Sequence, residues 1–450
     1  MFRARQVLIS FCLALTTALV LPASLPTSLA ASTQIPGAPQ AGPIALIGAT
    51  VHTISGVDLV GGTVVFDGGI ITAVGMNAAI PADARRIDLA GLHVYPGMID
   101  AASVVGLSEI RSVRASNDFN ETGDMTPEVR VEVAVNPDSE HLPVARANGV
   151  TAALSMPGGG LIAGMAALLR LDGWTTEDLV IDAPAALVIN WPNMHINRRA
   201  EAKPTPAKQV ESRDAKIEAL HQILAGARAY RTARQAAPGA TAQDLRNEAL
   251  LPVLDGDVPV LVVVTDVRQV QAALDWAAAE QVRLIIAGSG DIWRAGAELA
   301  AREVPVIYWN SYFLPRRADD PYDGSYTVPL KLYEAGVLFC LAHTSDPSFI
   351  RYLPEEAGRA AAYGLPRDEA LRAVTLNTAR IFGVDDQLGS IDVGKQATLV
   401  VTDGDMLELT SHVQLEFIGG REVDLSSHHT LLWDKYRTKY ERLGLARDEQ

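Results

Sequence analysis

Two histidines and two aspartates stand just past the ends of short apolar runs, where side chains of these types could carry chemistry. His343 and Asp346 follow VLFCLA (337–342), His195 follows AALVIN (185–190) in WPNMH, and Asp266 follows PVLVVV (259–264). His195, His343 and Asp346 together would supply the two imidazoles and one carboxylate that a catalytic zinc needs beside its water. Such a metal lowers the pKa of the bound water towards neutrality and makes it a nucleophile for hydrolysis. Asp266 and Asp346 could instead act as a metal-free acid–base pair. Asp100, Asn190, Trp191, Asn310 and Tyr312 also follow run ends. Their mixture of aromatic surface and a few hydrogen-bonding groups suits a ligand pocket.

The elements that must hold these residues are short buried strands alternating with helices. The runs GMIDA (97–101), VTAALSM (150–156), AALVIN, PVLVVV, RLIIAG (283–288), VPVIYW (304–309) and VLFCLA read as strands. Between them, 208–235 reads as a helix with Ile217, Leu220, Leu224 and Ala227 on one face, and about 367–382 as another. Seven or eight such units predict an α/β chain built on a (β/α)8 barrel, with function at the strands' carboxyl ends. A doubly wound sheet would show a glycine-rich loop opening a helix. Gly158-Gly159-Gly160 is followed instead by LIAGMAALLRLDG, which reads as strand, so a loop over the barrel mouth is the better reading.

The flanks differ in texture. Residues 44–95 and 389–425 carry short glycine-broken apolar runs at hairpin spacing, predicting a small β-sandwich built from both ends of the chain. The barrel then occupies 96–388, and 426–450 forms a terminal helix. In that helix Leu432, Trp433, Tyr436, Tyr440 and Leu443 recur at helical spacing, which predicts packing on the core, a partner-binding helix being the alternative.

Arg3 and Arg5, the apolar run from Val7 to Leu21 and Ser28-Leu29-Ala30 read as a signal peptide, residues 1–30, cleaved before Ala31. Residues 31–43 follow as a flexible lead-in, and the expected location is periplasmic or secreted. Cleavage would remove two arginines and no acid, taking the formal charge from -15 to -17. That excess of acid argues against nucleic acid as a partner and, after cleavage, against a membrane surface. Cys12 leaves with the signal peptide, so Cys340 has no partner for an internal disulfide.

Three motifs carry a family resemblance. Pro96-Gly97-Met98-Ile99-Asp100 resembles the lead into the first barrel strand of the metal-dependent amidohydrolases. Thr375, Asn377, Ala379 and Gly383 resemble that family's last barrel helix. Gly389-Ser390-Ile391 and Gly394-Lys395-Gln396-Ala397, followed by TLVVTDGD, resemble its return to the sandwich. The resemblance extends over nearly the whole chain beyond residue 30 and implies hydrolysis of carbon–nitrogen bonds by one or two divalent metals.

It also implies where the metal ligands should be, and the residues there are different. The His-x-His pair of strand 1 falls on Ala102 and Val104, the strand-5 histidine on Val263, and the next near Ala287 or Gly288. The strand-8 aspartate falls on Thr344, or on Asp346 after a two-residue slip. No bound metal or other cofactor is therefore expected, zinc being the alternative if His195, His343 and Asp346 have rebuilt a site. The leading expectation is a non-catalytic barrel that binds a small-molecule or peptide-like ligand, or another protein. The alternatives are an active hydrolase with relocated ligands, and a structural subunit that forms a homo-oligomer or pairs with a catalytic relative.

Overall fold

The structure, a computed structural model, describes residues 34–199, 201–309, 311–312, 314–315, 320–343 and 346–445. The signal peptide expected over 1–30 with Cys12, Asn310, Thr344 and the last five residues of the terminal helix expected over 426–450 lie outside the described residues.

The described residues open with five strands, β1 (Ile44–Val51), β2 (Leu59–Asp67), β3 (Ile70–Gly75), β4 (Arg85–Asp88) and β5 (His93–Pro96). Eight barrel strands follow: β6 (Met98–Ser103), β7 (Val150–Ser155), β8 (Ile162–Arg170), β9 (Val180–Asn190), β10 (Val260–Val264), β11 (Leu284–Gly288), β12 (Val306–Trp309) and β13 (Phe339–Ala342). The last three, β14 (Leu399–Thr402), β15 (Val413–Ile418) and β16 (Arg421–Glu422), return to the first sheet. The helices used below are α1 (Pro206–Ala236), α2 (Val267–Glu280), α3 (Leu353–Ala362), α4 (Arg367–Ala373), α5 (Leu376–Ile381) and α6 (His428–Arg442).

The flanking sheet runs β16-β15-β14-β5-β1-β2-β3, with β4 on β1. Its carboxyl-terminal strand β14 pairs antiparallel with β5, Leu399 opposite Pro96, so the two ends of the chain share one sheet. Phe66 of β2 meets Phe417 of β15 edge to face at 5.1 Å, although three strands separate them along the sheet. The sheet therefore folds over on itself as a sandwich and encloses its own apolar core.

The barrel runs from β6 to β13 in spatial order. Its lumen is filled by small and branched side chains, among them Ala152, Leu154, Val188, Leu261, Ile285, Ile307 and Cys340. Such strands, covered on both faces, read as continuous apolar runs, which is why they stood out in the sequence. One strand departs from a strict alternation of parallel strands and helices: β8 runs antiparallel to both β7 and β9. Gly159 and Gly160, at φ of 77° and 58°, make the reversal that joins β7 to β8. A side chain would be strained at either position. No helix follows this loop, so the dinucleotide alternative falls away.

β6 and β13 are the two ends of the bonded path, and other groups bridge the seam between them. The N–H of Ile99 donates to the Val374 carbonyl at 2.9 Å, and the N–H of His343 donates to Asp100 Oδ1 at 3.1 Å. Turning the Val374 carbonyl towards β6 breaks the helix expected over 367–382 into α4 and α5. Thr375 Oγ1 then donates to the Leu371 carbonyl and Asn377 Nδ2 to the Phe339 carbonyl of β13, at 2.6 and 3.0 Å. These bonds give the Thr-x-Asn spacing a structural purpose.

The helix expected over 208–235 runs as α1, with Leu220, Leu224 and Ala227 buried. The terminal helix α6 corrects another expectation. No residue in it is buried, so it does not pack on the core.

Candidate functional site

Two depressions lie at the carboxyl ends of the parallel barrel strands. The first, about 190 Å³, sits over the barrel axis. Val188 and Asn190 of β9, Val263 of β10 and Trp309 of β12 form its floor and wall, with Val104, just past β6, opposite. Met156, Pro157 and Gly158 enter from the β7–β8 loop, while Ser108, Arg111 and Phe119 come from the long segment that leaves β6. This segment is tied back to the barrel: the Gly158 N–H donates to the Phe119 carbonyl, and the Asp118 N–H to the Leu107 carbonyl at 2.7 Å. Asn190 Nδ2 donates to the carbonyls of Gly159 and Gly160 at 2.9 and 3.0 Å, which holds the glycine turn beside the cavity.

The chemistry of this lining is mostly apolar. Among the described residues its one charged group is Arg111, whose Nη1 pairs with Asp346 at 3.1 Å. Asp346 also accepts the N–H and hydroxyl of Ser348 and so caps the 3-10 turn Pro347–Tyr352. Partial burial pushes its carboxyl up, but the Ser348 bonds and Arg111 outweigh this and hold it below the ordinary aspartate range. It is thus an ionised capping and bridging group over the mouth.

The second depression is larger, about 820 Å³, and lies outside the axis against the ends of β10 and β11. His195, Asp266, Arg268, Asp291, Trp293 and Lys331 are among its lining residues. Asp266 caps α2 by accepting the Arg268 N–H, and the Arg268 guanidinium folds back on the same carboxylate at 2.5 and 2.8 Å. Asp291 accepts the Val267 N–H at 2.9 Å. Lys331 Nζ stands 4.1 Å from the Trp293 ring centre.

His343 belongs to neither depression. It is buried beside Tyr312, Phe349 and Tyr352, with ring centres 5.7 to 5.8 Å away. Its Nε2 lies 3.6 Å from Glu356 Oε1, and Glu356 Oε2 accepts the Ser311 hydroxyl at 2.5 Å. Arg359 donates to Ser311 Oγ at 2.7 Å and stacks over Tyr312 at 3.6 Å. Burial, reinforced by the Arg359 charge, pushes the His343 pKa down to about 4. Burial also raises the Glu356 pKa, with Ser311 and Arg359 opposing. Asp100 is wholly buried, and burial lifts its pKa to about 7 in spite of the N–H groups of His343, Ala102 and Ala101. At neutral pH His343 is a neutral, buried ring.

The candidates from the sequence therefore separate. Asn190 lines the axial cavity, and Asp346 bridges its rim through Arg111. His195 and Asp266 line the outer cleft instead. Asp100 binds the seam rather than facing a cavity. Trp191 is buried against Trp276 in an edge-to-face contact at 5.7 Å and serves the core. Tyr312 is partly exposed and packs on Arg359. Among the described residues no three His, Cys, Asp or Glu side chains gather as a metal ion would require, so His195, His343 and Asp346 do not form the rebuilt centre considered above. The separation has a simple cause, since the end of a strand does not dictate which side of the wall the next side chain faces. Arg111, Phe119, Glu356 and Arg359 were missed. The first two sit in a segment without periodicity; the Glu-x-x-Arg spacing on α3 was the available signal for the other two.

Residues 331–425 match the family described as "Amidohydrolase family". A curated protein of Hapsidospora irregularis, amidohydrolase tasK, is 24% identical over 381 residues, which is 77% of this chain and 38% of that protein. The chain thus spans well under half of that relative's length. A crystal structure of an amidohydrolase from Thermotoga maritima MSB8 superposes with a TM-score of 0.75 at 24% identity, covering 85% of this chain and 99% of that one. The family match covers under a quarter of the chain, and the likeness to the Thermotoga structure shows a shared fold. An adenosine deaminase from Xanthomonas campestris with bound zinc shares the fold more distantly, at a TM-score of 0.50 and 19% identity over 91% of this chain and 100% of that one. In this barrel the mouth over the axis is bounded by Val104 and Val263.

Proposed function

We propose that this chain is an exported amidohydrolase-family barrel that binds a small, largely apolar ligand at its mouth without metal-dependent hydrolysis. The observation that carries the reading is the shared position of Val104 and Val263. The resemblance places metal-binding histidines at both, and the two valines face one cavity beside Trp309 and Met156. A divalent metal does not fit there, because Ala102, Val104 and Val263 offer no lone pair and three protein ligands are the usual minimum. A cavity of about 190 Å³ is below the roughly 300 Å³ at which pockets for drug-sized molecules begin. The expected ligand is correspondingly compact.

The hydrolase with relocated ligands is less well supported, because His195 lines the outer cleft while His343 is buried among Tyr312, Phe349 and Tyr352. The test is a thermal-shift screen of small apolar metabolites against the wild type and Trp309→Ala. A compound that stabilises the first and not the second supports mouth binding. Turnover of amide or dipeptide substrates that depends on added zinc would contradict the proposal.

A further inference from the structure

α6 is an amphipathic helix that meets Arg351 at its start, through His429, and buries none of its residues against the described chain. His429, Trp433, Tyr436, Tyr440 and Leu443 follow one another at steps of four, three, four and three, the spacing of a coiled-coil seam. Trp433 is 59% exposed and Tyr440 47%. A free-standing helix of 15 residues is only marginally stable in water, near the ~12–15 residue threshold for isolated helices. Packing on another surface would supply what is missing.

The charge of the helix indicates which surface. Lys435, Arg437, Lys439 and Arg442 against Asp434 and Glu441 give it +2, within a chain of -15. Arg437 and Lys439 flank the aromatic seam, so two such helices laid side by side would bring like charges together. An acidic surface suits it better, and one begins at its root. Segment 109–140 holds eight acids, of which only Glu132 is buried, and three arginines, a net of -5, with Ile110, Val113 and Val133 exposed. His141, at the end of that segment, bonds through Nε2 to the Glu109 carbonyl at 3.0 Å. Arg351 Nη1 lies 3.3 Å from His429 Nδ1, and the turn Pro347–Tyr352 that carries Arg351 packs on the helix His141–Arg146, so the start of α6 stands beside the end of this segment.

We infer that the chain forms a two-fold dimer in which α6 of each copy lies on the acidic 109–140 segment of the other. A two-fold contact uses one self-complementary patch on both copies, and Arg351, which meets His429 from the turn packed on helix His141–Arg146, brings the donated and receiving elements into one such patch.

Sedimentation velocity on the full chain tests this with two charge-reversed variants, Arg437→Glu/Lys439→Glu and Asp118→Lys/Glu121→Lys. All four side chains are exposed, so unchanged circular dichroism is expected and loss of folding is monitored separately. The wild type should be a dimer that weakens as salt rises from roughly 0.05 to 0.5 M. Each variant alone should associate at least about tenfold more weakly, and an equal mixture of the two should recover the dimer because every contact is again complementary. A monomeric wild type would overturn the inference, as would a dimer that neither variant weakens or variants that fail to rescue each other. Binding of a monomeric wild type to phosphatidylglycerol vesicles would assign the helix to a membrane and also overturn it.

Discussion

Asp100 accepts the backbone N–H of His343 at 3.1 Å across the seam where the barrel's bonded path ends. One carboxylate thus joins the first barrel strand to the residue just past the last. It does so wholly buried, with no hydrogen bond to Oδ2 among the described residues. The motif residue that resembles a hydrolase's lead-in acts here as a clasp.

The clasp predicts a pH dependence of stability. Burial raises the Asp100 pKa to about 7, against roughly 3.9 in an unfolded chain. Between those values the folded protein keeps a proton that the unfolded chain has released. The stabilisation is therefore complete below pH ~4, is lost as pH rises through ~7, and is constant above that. His343, lowered to about 4, acts in the opposite sense, losing stabilisation as pH falls from ~6.5. Asp100→Asn keeps the acceptor for the His343 N–H and removes only the Asp100 titration. Urea unfolding should show the variant gaining on the wild type by on the order of a few kcal/mol between pH 4.5 and 8. Parallel stability curves would contradict the assignment.

A second prediction concerns the joint between barrel and sandwich. Asp172 is wholly buried and meets Arg146 at 2.7 Å, Arg421 at 3.3 Å and the Gly37 N–H at 3.2 Å. Removing the acid would leave the Arg146 charge buried without its partner. Asp172→Ala should cost about 3–5 kcal/mol in denaturant unfolding. The exposed pair Arg437–Asp434 is the control, and Asp434→Ala should cost less than about 1 kcal/mol. Equal effects would show that the buried pair is not a joint.

The Pro-Gly of the lead-in motif makes a third. A methyl group added at Gly97 would fall 2.1 Å from Thr151 Oγ1 on the neighbouring strand. Gly97→Ala should therefore destabilise by about 1–3 kcal/mol through overpacking. The double variant Gly97→Ala/Thr151→Ala should recover part of the loss. A neutral single variant would mean that the glycine serves no packing role.

Much of this fold was legible in the residues, and the reasons for the exceptions are local. The parallel strands were plain because both faces are covered, so 185–190, 259–264 and 337–342 are unbroken apolar runs. Apolarity carries no direction, so the reversed β8 was legible as a strand but not as an antiparallel one. α4 and α5 looked like one helix because the break at Val374–Thr375 is imposed by bonds to β6 and β13, far away in sequence. The stripe on α6 reads the same whether it meets the chain's own core or another surface. At the site, the identities of Ala102, Val104 and Val263 were visible at once. Which side of the wall His195 and His343 face, and the return of Arg111 and Phe119 over the mouth, depend on loops without a repeat.

The most direct test of the central claim is the metal content of the purified protein, by elemental mass spectrometry with no metal added. Val104 and Val263 at the barrel mouth predict far less than one equivalent of any divalent metal, with no gain in thermal stability on adding zinc. About one or two equivalents of tightly held zinc would contradict the account and require ligands that the described residues do not bring together.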